Sequence, residues 1–192
     1  MKMERRAGSA PPKLRATDGA KMAQGYAALF NSAADIGGYF REVIAPGAFS
    51  ETLKSSDVRA LINHDTGRVI GRSSAGTLRL AEDEMGLSVE IDLPDTSDGR
   101  DLAVQLERGD ISGMSFGFRV MHDEWDETGD MPMRTIHMLE LLEVSAVAFP
   151  AYADTEIALR SLDYVRKDRR KFHNSSGYSL RKARFEQRIR GL

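Results

Sequence analysis

The stretch Ile111–Val120 constrains this chain most, because its two faces differ so sharply. Read as a strand, it points successive side chains to opposite sides. One side carries Met114, Phe116, Phe118 and Val120, which is a core face. The other carries Gly113, Ser115, Gly117 and Arg119, so one hydroxyl stands between two residues without side chains. Strand glycines forfeit packing and often mark the close approach of a ligand or another backbone. A nucleophile that must meet an extended peptide needs such clearance. Ser115 is therefore the point from which chemical partners are sought.

The frame around it is that of an ordinary soluble domain. The chain has 192 residues, 41% hydrophobic and 29% charged, enough for one domain with a core and some tail. Cysteine is absent, which excludes a disulfide framework, a thiolate nucleophile and a Cys-based metal site, and fits a reducing compartment. No apolar run approaches the roughly 18 residues that span a bilayer, and Met1–Arg6 lacks the apolar segment of a signal peptide. The expectation is a cytoplasmic protein with no membrane partner.

Charge is unevenly spread. Residues 161–192 hold ten Lys/Arg against three acids, although the whole chain carries a net charge of -2. An acidic body with a basic tail suggests docking on an acidic protein surface or on nucleic acid, against the plainer reading of a solvated tail. Residues 1–22 mix Gly, Ala, Pro and charge without a period and read as a flexible leader. This gives a leader over 1–22, a folded domain over 23–162 and a basic tail over 163–192.

Within the domain, Gln24–Phe30, Tyr39–Ile44, Val58–His64 and Val69–Ile70 read as short strands, with a short helix over Ala48–Leu53. Thr77–Leu80 and Gly86–Leu93 flank Glu82-Asp83-Glu84 as a hairpin with an acidic turn. Ser97-Asp98 suits the N-cap of a helix from Gly99 to Arg108, with Leu102, Val104 and Leu106 inward and Gly109 as its stop. Met133–Phe149 reads as one long strand or two joined by a kink, and Thr155–Leu162 as a helix. Many short strands with few helices predict an α+β, mainly β fold: a closed or nearly closed β-barrel surrounded by helices.

A serine hydroxyl needs a base within hydrogen-bond reach, itself oriented by a third group. Of the histidines, His173 lies in the basic tail and His122 beside the acidic, loop-like stretch Asp123–Asp130, whereas His64 ends a strand on the parity of Ala60 and Ile62. Glu143 falls on the same parity as Leu139, Leu141 and Val147, and a carboxylate in an apolar strand is costly unless partnered. An imidazole N–H is one suitable partner. An internal ion pair with Arg68 or Arg72 is the structural alternative, and Glu140 takes the solvated face. Asp65-Thr66-Gly67 matches the aspartic-protease signature, but a neighbouring His64 and Arg68 make a poor context. No His-Glu-x-x-His is present, so no metal site is expected.

Several strings occur together and in order: Glu42–Phe49 (EVIAPGAF), Asn63-His64-Asp65, Val69–Arg72, Ser112–Phe118 (SGMSFGF), Leu142–Ser145 (LEVS) and Phe149–Tyr152 (FPAY). From about Gly25 to Leu162 this order resembles the prohead (procapsid maturation) serine proteases of tailed bacteriophages. The resemblance implies a fold related to the herpesvirus assembly proteases. It also implies Ser115 as nucleophile, His64 as general base and Glu143 as the group that orients His64. Ser112, in the same motif, stays open as an alternative nucleophile, and His137 as an alternative third member. The sequence does not select the oxyanion-hole donors.

The expectation is a serine endopeptidase, without cofactor or metal, that cleaves the scaffold region of the major capsid protein and itself during phage capsid assembly. It would work inside the assembling procapsid in the host cytoplasm, with a homodimer compatible and nucleic acid not expected as a partner. The competing expectation is a non-catalytic capsid-assembly or scaffolding protein that retains the protease fold.

Overall fold

A computed structural model describes residues 3–8, 12–17 and 20–149. The basic tail and the helix expected over Thr155–Leu162 lie outside the described residues. The strands are β1 (Glu4–Gly8), β2 (Lys13–Thr17), β3 (Ala20–Leu29), β4 (Ala34–Ile36), β5 (Phe40–Ile44), β6 (Arg59–Ile62), β7 (Asp65–Arg72), β8 (Leu78–Glu82), β9 (Gly86–Asp92), β10 (Gly113–Asp126) and β11 (Met133–Val147). Two α-helices join them, α1 (Ser50–Ser55) and α2 (Ser97–Arg108). The α+β, mainly β reading therefore holds.

The predicted barrel does not close among the described residues. One sheet runs β1-β10-β11-β5-β4, with β6 also on β11 and β7 on β6; the other runs β2-β3-β9-β8. The reason lies in the length of β11. Over its 15 residues, Met133–Ile136 pairs in parallel with β5 and Glu143–Ala146 pairs in parallel with β6. The sheet forks along this strand instead of curling shut. A shared core fills the space between the sheets, with Ala27, Val89 and Ile91 from one and Phe116, Phe118, Ile136 and Leu141 from the other. Phe49 enters from the α1 approach and meets Phe116 edge-on at 5.8 Å.

Local signals decide most of the elements. Met114, Phe116, Phe118 and Val120 of β10 are all buried in this core, as period-two alternation requires. In α2 the cap is one residue earlier than expected: the Thr96 hydroxyl accepts from the Gly99 amide at 3.3 Å, and Gly109 closes the helix at φ +79°. Leu102, Ala103 and Leu106 form its buried stripe, while Val104 points to solvent at 48% exposure. The β8–β9 hairpin forms around the acidic turn, where the Asp83 carboxylate accepts from the Met85 and Gly86 amides.

The stretch expected as a flexible leader carries two strands. β2 pairs with β3, and β1 lies antiparallel along β10, with Ala7 opposite Ser115. A buried ionic cluster fastens β1. Arg6 Nε donates to Glu42 at 2.6 Å and its Nη2 to Glu4 at 2.7 Å. Arg134 donates to Glu4 at 3.1 Å, to Glu42 at 3.0 Å and to Asp123 at 2.7 Å. Burial works against the Arg134 charge, but the surrounding carboxylates of Glu4, Glu42 and Asp123 outweigh it and hold the guanidinium above its ordinary range.

Candidate active site

The site is assembled where β6, β10 and β11 run side by side. On β11, a bulge decides which side chains can reach it. Phe118 pairs with Leu141 and Gly117 with Glu143, so Leu142 is the extra residue. Before the bulge Leu139 and Leu141 enter the core; after it Val144 and Ala146 do. Glu143 therefore leaves the face of Leu141, on which simple alternation put it, and shares the opposite face with Ser145. There Ser145 is the cross-strand partner of Ser115.

His64 also reaches the site by a route that strand parity does not give. β6 ends at Ile62, and Asn63 and His64 both take left-handed backbone, at φ +50° and +61°. For residues other than glycine this conformation costs on the order of 1 kcal/mol or more and needs local support. Three hydrogen bonds to β11 and the residue after it supply that support. The Asn63 amide donates to Ala146 O at 2.9 Å, the Asn63 side-chain carbonyl accepts from the Ala148 amide at 3.0 Å, and the His64 amide donates to Ser145 Oγ at 3.2 Å.

The turn lays the His64 ring against Glu143, with Nδ1 2.7 Å from Oε1. The second carboxylate oxygen, Oε2, accepts from Ser145 Oγ at 2.6 Å. Glu143 and Ser145 are both buried. An ionised Glu143 can only accept, so the imidazole proton belongs on Nδ1, leaving Nε2 as the basic nitrogen. Among the described residues that Nε2 is buried without a hydrogen-bond partner. An unpaired buried polar atom is costly and calls for an explanation, of which a reacting group to be met there is one.

Ser115 is fully buried on the same face, but its hydroxyl donates to Arg6 O of β1 at 2.8 Å, and no hydrogen bond joins it to His64. Its flanking Gly117 has a concrete role. A methyl group there would sit 2.5 Å from Glu143 Oε1 and overlap Met3 Cε. The empty position is what leaves room for the Glu143 carboxylate against β10.

The structural alternative for Glu143 is not formed, since Arg68 pairs with Asp98 and Arg72 with Asp57. Glu140 meets Arg119 at 2.9 Å on the outer face. Ser112 is exposed and precedes β10. His137 lies beside His122, ring centroids 5.6 Å apart, and is not the neighbour of His64. Asp65 folds back on its own turn, accepting from the Gly67 amide at 2.8 Å. Among the described residues no group of three or more acidic, His or Cys side chains could hold a metal, and no helix is long and apolar enough to cross a membrane. Ser145 was not singled out by sequence reasoning. Its signal was its place two residues after Glu143, on whichever face that carboxylate takes.

Comparisons with known proteins converge. The family model described as caudovirus prohead serine protease matches residues 11–168. The prohead protease of Enterobacteria phage HK97 is 34% identical over 149 residues, 74% of this chain and 61% of that protein. The prohead protease of Escherichia phage T5 is 35% identical over 99 residues, 52% of this chain and 44% of that protein. The chain thus matches less than two thirds of the length of either relative. In fold it is similar to the bacteriophage T4 capsid assembly protease, with a TM-score of 0.55 at 10% identity, over 76% of this chain and 97% of that one.

Proposed function

The chain belongs to the caudovirus prohead serine protease family, and from that premise we propose that it is a serine endopeptidase of capsid maturation. Ser115 Oγ attacks the scissile carbonyl carbon and passes its proton to His64 Nε2. The resulting imidazolium gives that proton to the departing amine, and a water molecule then repeats the cycle to release the acyl group. Glu143 holds the proton on Nδ1 and stabilises the imidazolium. Ser145 is a positioning residue: it ties down the free oxygen of Glu143 and the backbone of His64 at once. The reading is carried by one observation, an Nε2 without a partner among the described residues, on a ring whose other nitrogen is fixed by a buried carboxylate.

The substrates in this reading are the scaffold region of the major capsid protein and the chain itself, met within the assembling procapsid. The finer architectural expectation, kinship with the herpesvirus assembly proteases, belongs to the same proposal. Procapsids assembled with the wild-type chain or with His64→Ala test it. Trimmed capsid protein with the wild type and full-length capsid protein with the variant support the protease. Equal lengths in both, with normal assembly, favour a non-catalytic assembly component. One observation speaks for that second reading: the Ser115 hydroxyl is bound to Arg6 O and not to His64.

A further inference from the structure

The bond from Ser115 to Arg6 comes from an unusual arrangement of β1. Among the described residues this strand ends its sheet, and it covers Met114–Phe118, the part of β10 that carries the candidate nucleophile, along a continuous antiparallel register from Glu4↔Phe118 to Gly8↔Met114. It lies N-terminal to the residues that the family model matches. Its Arg6 carbonyl accepts a hydrogen bond from the Ser115 hydroxyl at 2.8 Å, and Met3 rests over Gly117 beside Glu143. An extended peptide adding to a sheet edge would use the same main-chain groups of β10. A serine that donates to a carbonyl oxygen is not donating to His64, whose Nε2 stays unpaired.

We propose that β1 is a built-in pseudosubstrate strand: residues 3–8 occupy in cis the edge of β10 on which a substrate peptide would lie, and keep Ser115 from His64. The proposal rests on the protease reading. Charge selects the occupant. Glu4 meets Arg134, and Arg6 meets Glu42, so the edge favours an extended segment with an acid and a base two residues apart. The two cradle residues also pair with each other at 3.0 Å, so the site keeps a partner for each charge when β1 leaves. The strand is thus held firmly but not irreplaceably, and a peptide of matching charge can take its place.

The full-length chain tests this through two readouts, the rate of fluorophosphonate labelling and the hydrogen exchange of amides 4–8. Wild type, Arg6→Ala, Glu4→Gln and the double variant are compared, with Ser115→Ala as the control for the labelled residue. The expected result is that labelling accelerates at least tenfold in whichever variants release the β1 amides. A synthetic peptide of residues 1–10 added in trans then slows it again, whereas the same peptide carrying Arg6→Glu does not. Released β1 amides with an unchanged labelling rate overturn the latch while leaving the protease intact. Absence of labelling in every variant, with capsid protein still trimmed by the wild type, also overturns the latch. Absence of both labelling and trimming fails the protease reading itself.

Discussion

His64 Nδ1 lies 2.7 Å from Glu143 Oε1, across 79 residues of sequence, and the same carboxylate is held from its other side by Ser145. This relationship fixes the tautomer of the ring and the direction in which Nε2 presents its lone pair. Glu143→Gln keeps the volume but offers an amide that can turn its N–H to Nδ1, moving the imidazole proton to the nitrogen that should be the base. Peptidase kcat is expected to fall by about 10³–10⁴-fold with little change in KM. Steady-state kinetics on a capsid-derived peptide reads this directly.

Ser145→Ala removes the hydroxyl that bridges Glu143 and the His64 amide. Neither group touches substrate through Ser145, so the loss should appear in orientation. The expectation is a roughly 10- to 100-fold fall in kcat with KM near wild type. A loss confined to thermal stability, with kcat unchanged, would make Ser145 merely structural.

Gly117→Ala places a methyl group against Glu143 Oε1 and Met3 Cε. The carboxylate must shift or β1 must lift. Overpacking of this kind destabilises by about 1–3 kcal/mol. Denaturant unfolding measures that cost, and peptidase activity should fall in parallel because His64 loses its anchor.

How much of this was legible in the sequence follows from how local each signal is. The two faces of β10, the β8–β9 hairpin and the α2 stop at Gly109 depend on neighbours in the chain, and they read correctly. Glu143 was identified as a partnered buried carboxylate, but on the wrong face, because the extra residue Leu142 is seen only against the register of β10. His64 was placed by strand parity, whereas a left-handed pair at Asn63 and His64 delivers the ring. β1 was invisible as a strand: its charged residues have no apolar period, and its anchors lie 36 and 130 residues away at Glu42 and Arg134. Barrel closure, which the described residues do not show, is hard to read for a similar reason, since the sharing of β11 between β5 and β6 is a long-range fact.

Acid stability should carry the signature of a surface pair. Arg72 bonds Asp57 and holds its carboxyl well below the ordinary carboxylate range. A pKa lowered by folding stabilises the native state above the unfolded-state value and stops doing so as pH falls toward the folded one. Both side chains are partly exposed, so solvent screening keeps the effect modest. Arg72→Ala should therefore lower Tm slightly at neutral pH, and the difference from wild type should vanish in strong acid. Thermal melts across that range check the sign.

Intact-mass spectrometry of the chain co-expressed with the capsid protein proposed as its substrate decides whether Ser115 is the nucleophile of this site. Wild type, Ser115→Ala and Ser112→Ala are run side by side. Shortened capsid protein is expected with wild type and Ser112→Ala, and only full-length capsid protein with Ser115→Ala. Continued trimming by Ser115→Ala, or its loss in Ser112→Ala alone, would contradict it.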